Sequence, residues 1–343
     1  MPGFESITDQ RRPTRILTAF LRKGTIPHAL LFTGIEGVGK QTAARIFAMT
    51  CNCLGDGQEQ PPVNSGKTGL PDNHKISEPC GICSSCRKIL SNSHPDIIQI
   101  KPSGYNIRIS QIRDLCGILS LKPYEAKIRV VIISDAQAMN MAAGNALLKI
   151  LEEPPDRTIL ILTATEKTDL ISTVSSRCQN IKFNPVSRKK IAQMLFESKG
   201  IDPVAADIFA GMSNGSLSGA FNISSSKLLR KRDWLISELE SLSLKDTGRC
   251  LLFAERLSKD KDDFLDSLET INIWFRDMAV FKHYPDKIIF IDLSDKMQTS
   301  YKKHSEKSLI LKSEEIRIAR QAIRANGNLR LTAETLVLKL VQV

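Results

Sequence analysis

The chain has 343 residues, about twice the usual length of a domain, so we expect two or three domains, each long enough to bury its own core. Hydrophobic residues make up 42% and charged residues 25%, which is typical of globular proteins and excludes collagen-like and low-complexity chains. The formal net charge of +11 favours polyanionic partners such as nucleic acid or nucleotides.

The sequence carries no targeting or membrane signal. None of its apolar runs reaches the roughly 18 residues that a membrane-spanning helix needs. The first ten residues lack the basic and then apolar pattern of a signal peptide. We therefore expect a cytoplasmic protein without membrane contact. In that reducing compartment its eight cysteines are more often metal ligands than disulfides.

Short apolar runs alternate with helical stretches in the first half of the chain, at residues 29–32, 97–100, 130–133 and 159–162. This alternation predicts an α/β fold in which helices cover both faces of a parallel sheet. After Pro185 the strand signals mostly disappear, and the periodicity predicts amphipathic helices over 188–198, 205–212, 227–242, 247–257, 262–281 and 314–325. Three serines at 224–226 mark a boundary, so we expect regions 1–183, 184–226 and 227–343.

A glycine-rich run, Gly34-Ile-Glu-Gly37-Val-Gly39-Lys40, follows the first predicted strand and precedes a helical stretch. This context predicts a P-loop, in which backbone N–H groups face a phosphate and Lys40 supplies a positive charge. The alternative is a glycine-rich turn without a ligand. Gln41 replaces the Ser or Thr that would hold Mg²⁺, and Thr42 is one position late. Gly34, Gly37, Gly39 and Lys40 thus form a degenerate P-loop, and whether ATP and Mg²⁺ bind there is an open question.

In a hydrolytic P-loop enzyme, the strand that corresponds to 130–133 is followed by carboxylates that bind the metal ion and activate the attacking water. Ser134 and Asp135 follow it instead. Ser134 removes the acidic metal ligand, and Asp135 is shorter than the glutamate that would activate water. We therefore expect ATP hydrolysis by this chain to be very slow or absent.

Three cysteines within seven residues, Cys80, Cys83 and Cys86, lie in a polar part of the chain. With one further thiolate they would form a closed tetrahedral site, so the pattern predicts a structural Zn²⁺. An iron–sulfur cluster is the rival interpretation, but the fourth cysteine expected shortly after Cys86 is missing. Three upstream side chains are open as the fourth ligand: Cys51, Cys53 and His74.

Five motifs follow one another along the chain: Ile26-Pro-His-Ala-Leu30, His94-Pro-Asp96, Met139-Asn-Met-Ala-Ala-Gly-Asn-Ala-Leu-Leu-Lys-Ile-Leu-Glu-Glu-Pro-Pro155, Ser176-Arg177-Cys178 and Asn328-Leu-Arg-Leu331. This ordered set resembles the DNA polymerase III clamp-loader subunits, a branch of the AAA+ family. The resemblance implies an AAA+ P-loop domain with a zinc-binding insertion at about 51–90, a small helical lid and a C-terminal all-α collar that oligomerises. It also implies that Cys53 completes the zinc site with Cys80, Cys83 and Cys86.

Three departures from the family pattern separate the chain from the ATP-hydrolysing gamma and tau motor subunits. Gln41 and Ser134 are two of them, and a serine within Gly215-Ser-Leu-Ser-Gly-Ala220 replaces the lid arginine of the motor. The joint loss of these three motor residues favours the delta-prime branch, a stator without ATPase activity of its own. A gamma/tau-type motor is the alternative. A helicase-loader-like protein that binds nucleic acid through its positive charge is a third possibility of a different class.

Arg177 is the catalytic residue that the resemblance implies, acting in trans. As an arginine finger it would stabilise charge on the phosphoryl group transferred at the ATP site of a neighbouring subunit. The implied partners are gamma/tau motor subunits, the delta subunit, primer-template DNA and, indirectly, the sliding clamp. Together they would form a hetero-oligomer within a DNA-directed DNA polymerase holoenzyme that acts in replication.

Two charged clusters receive no catalytic role from the sequence. In most chains Glu152 and Glu153 would be a solvated charge pair, whereas the resemblance implies a structural segment near the subunit contact. For a basic cluster, contact with nucleic acid and a solvated helix face are equally favoured interpretations. The cluster consists of Lys227, Arg230, Lys231 and Arg232.

Overall fold

The computed structural model describes residues 3–55, 78–104, 106–243 and 245–342. Contacts group the chain into two units, Met1–Lys190 with Gly215–Gly219, and Ile191–Asn214 with Ala220–Val343. The three-part division 1–183, 184–226 and 227–343 stays a prediction. Within the described ranges, no helix is both long and apolar enough to cross a bilayer. The cytoplasmic localisation likewise stays a prediction.

The first unit contains a five-stranded parallel sheet. Its strands are β1 (Ala29–Thr33), β2 (Ile97–Ile100), β3 (Arg129–Ile133), β4 (Thr158–Ala164) and β5 (Gln179–Lys182). Its helices are α1 (Arg11–Lys23), α2 (Lys40–Asn52), α3 (Ser84–Leu90), α4 (Ile109–Leu119), α5 (Met141–Glu152) and α6 (Ser172–Ser175). The strand order is β2-β3-β4-β1-β5, and all neighbours are parallel. The predicted α/β fold is confirmed.

The central strands bury both of their faces, which explains their uninterrupted apolar sequences. In β1, Leu30 and Phe32 face one core, whereas Ala29 and Leu31 face the other. Side chains alternate between the two faces of a strand, so a strand covered by helices on both sides needs apolar residues at every position. The four predicted strands are found. The fifth strand was not predicted, because Gln179-Asn-Ile-Lys182 holds one apolar residue, the buried Ile181.

The glycine-rich turn is held by the end of the sheet. Gly34 has φ +146°, and a Cβ atom there would lie 2.6 Å from the carbonyl oxygen of Phe183. Only glycine fits such a position. Helix α2 then begins at Lys40, with Gly39 in the left-handed region as its N-cap. The turn therefore joins the carboxyl end of β1 to the amino end of α2, as a P-loop does.

The rest of the chain is helical. Its helices are α7 (Arg188–Lys199), α8 (Pro203–Met212), α9 (Leu217–Ile223), α10 (Ser226–Ser241), α11 (Thr247–Leu257), α12 (Lys261–Phe281), α13 (Ser294–Tyr301), α14 (Glu306–Arg324) and α15 (Leu329–Gln342). The core of the second unit includes Phe264, Ile271 and Trp274 from α12, all buried. The structure shows no strand in the described residues after Pro185, so the predicted helical C-terminal part is confirmed.

Arg232, a member of the basic cluster, is buried. Its Nη1 and Nη2 atoms lie 2.9 Å and 2.5 Å from the carboxylate oxygens of Asp292, and its Nη2 lies 2.7 Å from Asp233. The guanidinium also lies over the ring of Phe290, 5.0 Å from its centroid. The sequence interpretation is therefore wrong for this residue, which neither faces solvent nor is free for nucleic acid. Paired carboxylates make its burial possible.

Candidate functional site

The P-loop lysine is bonded to its own loop. The Nζ atom of Lys40 donates to the carbonyl oxygen of Gly34 and, at 2.9 Å, to that of Ile35. The residue is only 8% exposed, and burial lowers its pKa against the opposing charges of Asp135 and Glu36. Two of the three ammonium donors are therefore bonded to backbone carbonyls of the loop.

The tip of the same loop is covered by Gly215–Gly219, which belongs to the first unit. The carbonyl oxygen of Gly37 accepts hydrogen bonds from the backbone N–H groups of Leu217, at 3.1 Å, and Ser218, at 3.4 Å. A Cβ atom added to Gly37 would lie 2.2 Å from the hydroxyl oxygens of both Ser216 and Ser218. The covering segment thus packs directly against the turn, and the positive φ of Gly37, +78°, favours glycine there.

The end of β3 does not supply the residues of a hydrolytic site. Ser134 is buried, and Asp135 adopts a left-handed conformation in which its backbone N–H donates to the Thr163 hydroxyl at 3.1 Å. Gln41 is exposed on the first turn of α2. Neither Gln41 nor Ser134 is the residue type that holds Mg²⁺ in hydrolytic P-loop proteins, a hydroxyl after the lysine and a carboxylate at the strand end.

The four predicted cysteine ligands lie together. The sulfur atoms of Cys53, Cys80, Cys83 and Cys86 are all within 4.8 Å of one another. Sulfur atoms bound tetrahedrally to Zn²⁺ at about 2.3 Å would be separated by roughly 3.8 Å, so the cluster has suitable dimensions. Backbone N–H groups of Cys80, Cys83 and Cys86 donate to cluster sulfurs at 3.3–3.4 Å, which stabilises thiolates. The four cysteines are positioned to bind a metal ion.

The other upstream candidates for the fourth ligand differ from Cys53. Cys51 is buried, and this burial raises the pKa of its thiol to about 12, as expected of a small apolar core residue. His74 lies outside the described residues. Within the part of the chain that the structure describes, Cys53 is therefore the cysteine that joins the three downstream thiols.

Asn52 connects the metal cluster to the sheet. Its buried amide donates to the carbonyls of Ala48, at 3.0 Å, and Ile128, at 2.9 Å, and accepts from the Ile128 N–H at 3.1 Å. Asn52→Ala should lower the free energy of unfolding by about 3 kcal/mol, because it leaves buried backbone groups without partners. Thr50→Ala is the control, since that hydroxyl bonds only the Ile46 carbonyl. Urea unfolding midpoints measure the difference, and equal shifts would contradict the assignment.

Arg177 follows α6 and is held by two acceptors. Its Nη1 donates to the Thr173 carbonyl at 2.9 Å, and its Nη2 lies 2.7 Å from Oε1 of Glu152 at the end of α5. The side chain remains 38% exposed. The sequence does not reveal this ion pair, because no local pattern relates residues so far apart in the chain. Glu152 is therefore not simply a solvated charge but a partner of Arg177.

Comparisons with known proteins place the chain in a family. The family model described as DNA polymerase III, delta subunit, matches residues 9–187. The delta' subunit of DNA polymerase III from Bacillus subtilis is 28% identical to this chain over 336 residues. The alignment covers 96% of this chain and 96% of the delta' subunit. The tau subunit of that organism is 29% identical over 306 residues, which span 82% of this chain but only 51% of tau.

A solved structure, the DNA polymerase III gamma subunit-related protein of Thermotoga maritima, aligns with this chain at 19% identity and a TM-score of 0.44. The alignment covers 95% of this chain and 98% of the Thermotoga chain. The family model alone matches more than half of the chain and includes the glycine-rich turn, the cysteine cluster and Arg177. This chain belongs to the DNA polymerase III, delta subunit, family.

Proposed function

We propose that this chain is a non-hydrolysing, delta-prime-type subunit of a DNA polymerase III clamp loader. The observation that carries the proposal is that Gln41 and Ser134 stand where a hydrolytic P-loop keeps its magnesium ligands. Lys40 bonds carbonyls of its own loop, and the Gly37 carbonyl accepts from the segment that covers it. The match to a delta' subunit along nearly its whole length supports the same type.

The catalytic contribution that we propose is made in trans by Arg177. A planar guanidinium carries a permanent charge and several N–H donors, which suits it to a phosphate whose negative charge grows during transfer. Two of its five donors are used in the contacts with Thr173 and Glu152, and the side chain is partly exposed. The remaining donors would meet the γ-phosphate of ATP bound by a neighbouring subunit.

The proposal includes an assembly. We infer a hetero-oligomer with gamma/tau motor subunits and a delta subunit, which loads the sliding clamp onto primed DNA. The helices from 184 to 226 would be the lid, and those from 227 onward the collar. Zn²⁺ is the metal that four thiolates favour, and with no open coordination position it would be structural.

A gamma/tau-type motor is the second candidate, favoured by the similarity to tau. The isolated chain with Mg²⁺ and ATP separates the two. We expect no phosphate release above that of the Lys40→Ala variant, because magnesium lacks its protein ligands. A tau-type subunit assayed alongside should show turnover. Magnesium-dependent hydrolysis that Lys40→Ala abolishes would instead identify a motor.

A further inference from the structure

Glu152 holds one side of the Arg177 guanidinium. Its Oε1 atom lies 2.7 Å from Nη2, while Nη1 donates to the Thr173 carbonyl at 2.9 Å. Both nitrogens belong to one rigid plane, so two acceptors from separate helices fix its position and its orientation. The other three N–H donors have no partner among the described residues.

The two acceptors are themselves fixed by the packing of α5 against α6. A Cβ atom on Gly144 of α5 would lie 2.4 Å from Cδ1 of Ile171, so the helices are in close contact at this glycine. Val174 of α6 is completely buried in the same core as Leu147 and Leu151 of α5. Core packing therefore sets the separation between the Glu152 carboxylate and the Thr173 carbonyl.

An ion pair this exposed contributes little to stability. Both side chains are substantially exposed, 38% for Arg177 and 51% for Glu152, and water screens such pairs. Arg177 without its carboxylate would, however, sample many rotamers, and the placement of a group that must reach a reacting phosphate affects rate strongly. The pair thus has more consequence for catalysis than for folding.

We propose that Glu152 is a positioning residue for Arg177, which holds the guanidinium in place while leaving its other donors available to a phosphate. The inference rests on the proposed function, since it requires Arg177 to act in trans. Glu153 provides an internal contrast. It has the same charge, is exposed and follows Glu152 directly, but its side chain makes none of the hydrogen bonds or ion pairs found in the described residues.

The test uses the complex reconstituted with the motor and delta subunits, clamp and primed DNA, and measures single-turnover ATP hydrolysis over a range of ATP concentrations. Glu152→Ala should slow hydrolysis about tenfold at the neighbouring ATP site that Arg177 reaches. The ATP concentration for half-maximal rate should change little. Glu152→Gln, which keeps an acceptor oxygen, should lose about threefold. Glu153→Ala should leave the rate unchanged. The Glu152→Ala/Arg177→Ala double variant should match Arg177→Ala alone.

The outcomes separate the two claims. If Arg177→Ala slows hydrolysis but Glu152→Ala behaves like Glu153→Ala, the positioning role is wrong and the proposed function stands. A faster Glu152→Ala variant would mean that the carboxylate restrains the arginine, which also overturns the inference. If Arg177→Ala itself has no effect, the proposed trans role fails and the positioning role fails with it. Thermal unfolding of each variant checks that the fold is retained.

Discussion

Under the proposed function, replacing Arg177 with alanine is expected to slow ATP hydrolysis by about 10³-fold at the one motor-subunit site that this chain would contact in the reconstituted complex. The reason is electrostatic: without the guanidinium, no fixed positive charge from this chain offsets the charge that develops on the transferred phosphoryl group. Other motor sites would continue at their normal rates. Single-turnover measurements should therefore resolve a slow phase whose amplitude corresponds to one site.

Two variants make this result specific. Arg177→Lys keeps the charge but loses the planar fork, so it should recover only part of the rate. Arg22→Ala removes an exposed arginine from the last turn of α1 and should leave the kinetics unchanged. The proposed trans role would be contradicted if Arg177→Ala gave a single-turnover trace without a slow phase in a complex that still assembles.

Removal of the metal should have the largest effect on stability. We expect one zinc ion per chain by elemental analysis, and we expect Cys86→Ser or chelation to release it. Binding of a structural zinc ion contributes on the order of 10 kcal/mol in small domains. Helix α3 has only seven residues, too short to persist in water alone, so its order depends on the cluster and on buried Ile89. Its amide hydrogens should exchange rapidly after metal loss.

Cys116→Ser is the matched control, because Cys116 is not a member of the cluster. This variant should keep one zinc ion, and the amide hydrogens of α3 should still exchange slowly. Hydrogen exchange read residue by residue distinguishes loss of this module from unfolding of the whole unit. Wild-type protein without stoichiometric metal, or Cys86→Ser protein that retains it, would contradict the zinc proposal.

Local sequence was sufficient wherever one segment carried its own physical signal. The fully buried strands appear as apolar runs because a sheet covered on both faces needs them, and 159–162 lies within β4, which is buried throughout. Strand β5 has no such run, since its sequence Gln179-Asn-Ile-Lys182 holds one apolar residue, the buried Ile181. The glycine spacing before Lys40 likewise reports a backbone conformation that other residues avoid.

The sequence by itself determined the α/β class, the helical C-terminal part, the glycine-rich turn and three of the four cluster cysteines, while the resemblance implied the fourth, Cys53. Only the tertiary structure decided that Glu152 meets Arg177, that Leu217 and Ser218 bond Gly37, and that Arg232 is buried. The physical reason is the range of the interactions. Propensity, periodicity and ligand spacing act between near neighbours in the chain, whereas these contacts join residues that only the packing of helices and sheet brings together.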